Sequence, residues 1–168
     1  LHDREETLRL AQDVTVMSEG RLIQTGATAQ IFNQPQSEFV ANFVGTETIL
    51  EGTVQNIRSG LMEVLVSGKT IEATGSAPIS QKVFCCIRPE NIVVSREAPE
   101  NSSARNIFEA QIQKIVRQAF FYKLVLDCGF PVVAYLTVSS CEDLGLCEGA
   151  TVFASFKATA VHVMRREK

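Results

Sequence analysis

Polar side chains suited to holding a tetrahedral anion recur at three places in the C-terminal third of the chain. SSARN (102–106) and TVSS (137–140) flank short alternating apolar segments, and KAT (157–159) follows another. An oxyanion only accepts hydrogen bonds and its charge must be matched, so it needs hydroxyls, backbone N–H groups and cations. The candidate oxyanion-binding residues are Ser103, Arg105, Asn106, Thr137, Ser140, Lys157 and Ala158. Spacing alone favours a plainer interpretation, a polar linker and a solvated strand end.

These residues lie in the second copy of an internal repeat. LEGTVQNI (50–57) matches FEAQIQKI (108–115), and KVFCCIRPENIVVSR (82–96) matches TVFASFKATAVHVMR (151–165). The second copy is longer, and its SSCEDLGL segment is predicted to form an inserted short helix. Arg105 falls opposite Glu47, and Lys157 falls opposite Arg88. We therefore expect the anion site in the second copy alone.

The hydrophobic pattern changes near Gly45, from mixed helix and strand to short alternating runs separated by Gly- or Pro-containing turns. Residues 1–46 are predicted to form a helix over 3–11, a hairpin around SEG and two short helices. The rest is predicted to be mainly β, with two tandem small antiparallel barrels of the OB (oligonucleotide/oligosaccharide-binding) type. The predicted domains are 1–46, 47–98 and 99–168.

Composition excludes several function classes. The net charge is −3 and basic residues form no stripe, which argues against nucleic acid as a partner. No apolar run approaches the roughly 18 residues of a membrane span, and no signal-peptide pattern opens the chain, so a cytoplasmic location is expected. The five cysteines lack the C-x₂-C spacing of metal or redox sites. Free thiols and no metal site are predicted.

One segment imitates a phosphate-binding loop. VSGKT (66–70) has the Gly-Lys-Thr of a P-loop, but Glu63 stands where that motif needs a glycine, and both flanks are β-like. We therefore interpret Ser67-Gly68 as a hairpin turn. Because the other nucleotide-binding motifs are also missing, the chain is expected to be a fragment of a longer protein and not catalytic by itself.

The motifs resemble two parts of one protein family. HDREE, VTVMSEGRLIQTG and SEFVANFVG resemble the end of the nucleotide-binding domain of ABC importer ATPases. IRPENI (87–92) resembles the transport-associated OB (TOBE) modules of these importers. SSARN, TVSSCEDLGL and SFKATAV resemble the oxyanion-binding Mop modules of molybdate and tungstate transporters. The resemblance implies that residues 1–46 are an α/β remnant of the ATPase domain and that His2 is its switch histidine, which contacts ATP.

The resemblance implies a regulatory region that senses molybdate or tungstate and controls uptake. ATP and Mg would be cofactors of the full-length protein only. The implied partners are a second copy, in a homodimer, and the membrane permease, which would hold the protein at the inner face of the membrane. The alternative is a structural dimerisation module, without a ligand site, in an importer for sulfate, iron, a sugar or a polyamine.

Overall fold

A computed structural model describes residues 6–7 and 10–166 and divides the chain into two compact units, residues 1–46 and 47–168. In the described part, no helix has both the length and the apolar character needed to cross a membrane.

The first unit contains a hairpin followed by two short helices. Its elements are β1 (Asp13–Ser18), β2 (Arg21–Ala27), α1 (Thr28–Asn33) and α2 (Glu38–Phe43). β1 and β2 pair antiparallel, and Ser37 caps α2 by accepting a hydrogen bond from the Val40 N–H at 3.3 Å. The predicted hairpin and both helices are confirmed. Most of the predicted helix over 3–11, and His2 before it, lie outside the described residues. The ATPase-remnant interpretation stays a prediction.

The second unit is built from two five-stranded antiparallel sheets. The first copy contributes β3 (Thr48–Arg58), β4 (Leu61–Val66), β5 (Lys69–Thr74), β6 (Lys82–Ile87) and β7 (Val93–Ser95). The second contributes β8 (Asn106–Arg117), β9 (Phe121–Asp127), β10 (Pro131–Thr137), α3 (Val138–Asp143), β11 (Thr151–Phe156) and β12 (Val161–Arg165). The chain is mainly β, as predicted, and α3 lies in the predicted insertion.

The two copies exchange their last strands. The first sheet has the order β12-β6-β3-β4-β5, and the second has the order β10-β9-β8-β11-β7. β12 of the second copy therefore completes the first sheet, and β7 of the first copy completes the second. Edge strands β5 and β12 contact each other, so the first sheet curls towards closure. The sheets do not coincide with the sequence copies, and the boundary at residue 98 stays a prediction.

Matching features in the two copies confirm the internal repeat. A short 3-10 turn precedes the last strand of each copy, at Pro89–Asn91 and Ala158–Ala160. The first long strand of each copy carries an irregularity, near Val54 in β3 and near Ile112 in β8. Ser67 and Gly68 have φ angles of 47° and 80° between β4 and β5, which confirms the hairpin turn.

Alternation along the strands builds one core for the second unit. In β10, Val132, Ala134 and Leu136 are buried and belong to a cluster that includes residues from both sheets. Gly52 permits close packing of β3 on β4, since a Cβ there would lie 2.6 Å from Val64 Cγ1.

The cysteines are free thiols, as predicted, and all except Cys147 are buried. Burial raises the pKa of Cys85 to about 12 and that of Cys128 to about 11. These two groups therefore remain neutral at physiological pH and act as small apolar core residues.

Candidate functional site

A surface pocket of about 440 Å³ brings together the linker before β8, the end of β11 and the exchanged strand β7. Its polar lining includes Ser95, Ser102, Ser103, Ser155, Lys157 and Glu90. The linker supplies Ser102 and Ser103, and Lys157 directly follows β11. The pocket therefore combines several hydroxyls with a cation.

Two of the predicted anion ligands, Ser103 and Lys157, line this pocket. Both are exposed, and within the described part of the chain neither side chain makes a hydrogen bond or an ion pair. Ala158, also predicted, is buried at the start of the 3-10 turn that places Ala160 in the pocket wall. The second copy thus presents an ammonium group and a hydroxyl group to the same space.

The acidic group in the pocket wall is matched by a neighbouring cation. Glu90 forms an ion pair with Arg88, with 2.6 Å between Arg88 Nε and Glu90 Oε1. Arg88 is the counterpart of Lys157 in the first copy. Because Arg88 offsets Glu90, the Lys157 charge remains available for an anionic ligand.

Arg105 contacts a carboxylate of the other sheet. Its guanidinium donates from Nε and Nη2 to the two carboxylate oxygens of Glu72 in β5, the second bond measuring 3.0 Å. This hydrogen bond holds the pKa of Glu72 below its usual range, and Glu72 in turn raises the pKa of Arg105. Arg105 does not line the pocket, although it directly follows Ser103 and Ala104, which do.

Asn106 joins β8 to β5. Its Oδ1 accepts from the Glu72 N–H and its Nδ2 donates to the Glu72 carbonyl, both at 2.8 Å. Its side chain is buried, and both ends of its amide are used. In this structure the residue connects the sheets.

Thr137 and Ser140 begin α3. The Thr137 hydroxyl accepts from the Ser140 N–H at 3.1 Å and donates to the Ser140 hydroxyl at 2.8 Å. Both residues are exposed, and neither lines the pocket. Their participation in one site with Lys157 stays a prediction.

Sequence reasoning missed Glu72, Ser95 and Ser155. Ser155 is buried opposite Val93, and Ser95 pairs with Phe153 through the exchanged strand. No local pattern places a first-copy strand beside β11, so no sequence signal pointed to Ser95. Glu72 lies in an ordinary alternating strand, and only the contact between the sheets shows its importance.

Comparisons with known proteins show which proteins the chain resembles. The TOBE domain model matches residues 102–163. The chain is 39% identical over 163 residues to the molybdate/tungstate import ATP-binding protein WtpC of Pyrococcus horikoshii, and 37% identical over 168 residues to that of Pyrococcus abyssi. Each alignment covers 96% of this chain but 45% of the relative. The chain therefore spans less than half the length of these relatives.

A solved structure shares the fold. The cytoplasmic molybdate-binding protein ModG, crystallised with molybdate bound, superposes with a TM-score of 0.67 at 20% sequence identity. The match covers 72% of this chain and 97% of that one. The relatives align through their C-terminal part, and residues 102–163 match the domain model. The chain thus resembles the C-terminal, TOBE-containing part of importer ATP-binding proteins.

Proposed function

We propose that this chain is the oxyanion-binding, regulatory C-terminal region of an importer ATP-binding subunit, and that its ligand is molybdate or tungstate. The observation that carries the proposal is that Lys157 and Ser103 line the same pocket. Neither side chain has a hydrogen-bond or ion-pair partner among the described residues. The names of the Pyrococcus relatives and the fold shared with ModG support this choice of ligand.

The pocket supplies groups that a tetrahedral dianion needs. The Lys157 ammonium matches part of the charge, and Ser102 and Ser103 can each donate a hydroxyl proton. In the proposal five further residues complete the site, and some of them must leave their present partners to do so. They are Arg105, Asn106, Thr137, Ser140 and Ala158. The metal–oxygen bonds of molybdate and tungstate are longer than the sulfur–oxygen bonds of sulfate. A site sized for the two metal oxyanions therefore holds sulfate poorly.

Regulation requires that the anion bind one arrangement of the transporter better than another. We therefore extend the proposal to a homodimer with the anion site near the interface of the two chains. The full-length protein would bind ATP and Mg, use His2 at the nucleotide and work with a permease at the inner face of the membrane. These properties rest on the family resemblance, since His2 lies outside the described residues.

A purely structural TOBE module is the second candidate. Its support is that Arg105 and Asn106 are both engaged with Glu72 and connect the two sheets. Under this alternative the importer carries another substrate, such as sulfate, iron, a sugar or a polyamine, and the chain binds no oxyanion.

Isothermal titration of the chain with molybdate, tungstate and sulfate separates the two candidates. We expect binding of the first two and weak binding of sulfate. Lys157→Ala should weaken molybdate binding at least about tenfold, because the anion in the pocket loses its cationic partner. Lys114→Ala is the matched control, since Lys114 is an exposed lysine of β8 outside the pocket. No binding of either metal oxyanion, or equal losses in the two variants, would contradict the proposal.

A further inference from the structure

The carboxylate of Glu72 binds the Arg105 guanidinium, the group that an oxyanion in the pocket would use. Arg105 directs both Nε and Nη2 to it, in the forked geometry that guanidinium also adopts towards tetrahedral oxyanions. One guanidinium edge cannot serve both partners in this way at once. The Arg105 side chain is 56% exposed, so it has room to turn.

Glu72 itself is held in place. Asn106, the residue after Arg105, binds the N–H and the carbonyl of Glu72. The backbone of Glu72 is therefore anchored next to the linker that carries Arg105, which keeps its carboxylate within reach of the guanidinium. The Glu72 side chain is 23% exposed, less than half the exposed fraction of Arg105, so Arg105 has more room to turn than Glu72.

A second carboxylate near Glu72 favours the ion pair between Arg105 and Glu72. Glu63 of β4 lies directly opposite Glu72 of β5, and like charges in this position repel each other. Arg105 offsets part of this repulsion by binding Glu72. An anion that draws Arg105 away therefore leaves two neighbouring carboxylates without that cation.

We propose that Glu72 competes with the oxyanion for Arg105 and so lowers the affinity of the pocket. The proposal rests on the proposed function and deepens it. Arg105 exchanges between the Glu72 carboxylate beside β8 and the anion beside Ser103 and Lys157. The affinity then depends on the difference in free energy between two similar ion pairs. The pocket therefore fills only at a higher anion concentration.

Titration of molybdate into charge-matched variants tests this competition. Glu72→Gln removes the competitor and keeps the shape of the side chain, so affinity should rise about three- to tenfold, the scale of a partly exposed ion pair plus lost repulsion. Glu63→Gln removes the same charge one strand away and should change affinity less than about twofold. Thermal unfolding of each variant checks that the fold is kept, and Glu72→Ala serves as a second variant.

The background of Arg105→Ala separates competition from general repulsion. In that background Glu72→Gln should have no further effect, because no cation remains to be released. An equal gain with and without Arg105, equal gains in Glu72→Gln and Glu63→Gln, or no gain would overturn the inference while leaving the proposed function intact. Absence of molybdate and tungstate binding in every variant would overturn both.

Discussion

At the scale of single residues, two polar side chains at equivalent positions of the repeat connect the two sheets. Asn106 in the second copy binds both backbone groups of Glu72, and Thr48 in the first copy accepts from the Val133 N–H at 2.9 Å. Both residues are buried. The first of these was predicted as a ligand from the SSARN motif, and its hydrogen bonds show a structural task.

Replacing these residues should destabilise the chain unequally. Asn106→Ala leaves a partly buried N–H and a partly buried carbonyl of Glu72 without these partners, which should lower the free energy of unfolding by about 2–4 kcal/mol. Thr48→Val removes one accepted hydrogen bond and keeps the side-chain shape, so a loss of about 1–2 kcal/mol is expected. Urea unfolding followed by circular dichroism measures both. An Asn106→Ala variant as stable as the wild type would show that the connection is unimportant.

Residue-level prediction of the site was partial for a physical reason. Lys157 and Ser103 could be chosen because anion binding demands cations and hydroxyls, and both lie at one pocket. The bidentate partner of Arg105 could not be predicted, since Glu72 lies far away in sequence and contacts Arg105 only because the two sheets pack together. Whether Thr137 and Ser140 join an anion stays a prediction.

At the scale of elements, local pattern predicted most strands, the inserted helix α3 and the Ser67-Gly68 turn. Alternation records which residues face a core, but it does not record which neighbour a strand pairs with. The exchange of β7 and β12 therefore could not be predicted. It arises because each copy sends its last strand, after a short 3-10 turn, to the sheet of the other copy.

The exchange predicts that the two copies fold together. A peptide of residues 47–98 lacks β12 beside β6, and a peptide of residues 99–168 lacks β7 beside β11. Each should fail to give a cooperative thermal transition, because an edge of its sheet and part of its core are exposed. Mixing the two should restore a folded complex, seen as a cooperative calorimetric peak. Cooperative unfolding of either peptide alone would show that exchange is dispensable.

At the scale of the whole molecule, the repeat is symmetric in fold but not in charge. Arg105 of the second copy corresponds to Glu47 of the first, which accepts from the Tyr135 hydroxyl and pairs with Lys123. Where one copy presents a cation to Glu72 of β5, the other presents a carboxylate to Lys123 of β9. We therefore expect one oxyanion per chain, bound by residues of the second copy.

The most direct test is the position of the anion itself. Crystals of the chain grown with tungstate, measured at a tungsten absorption edge, give an anomalous map in which the metal is unmistakable. We predict one peak per chain in the pocket, in contact with Lys157 and Ser103, with Arg105 turned from Glu72 towards it. A peak at Arg88, a peak elsewhere on the surface, or no peak at saturating tungstate would contradict it.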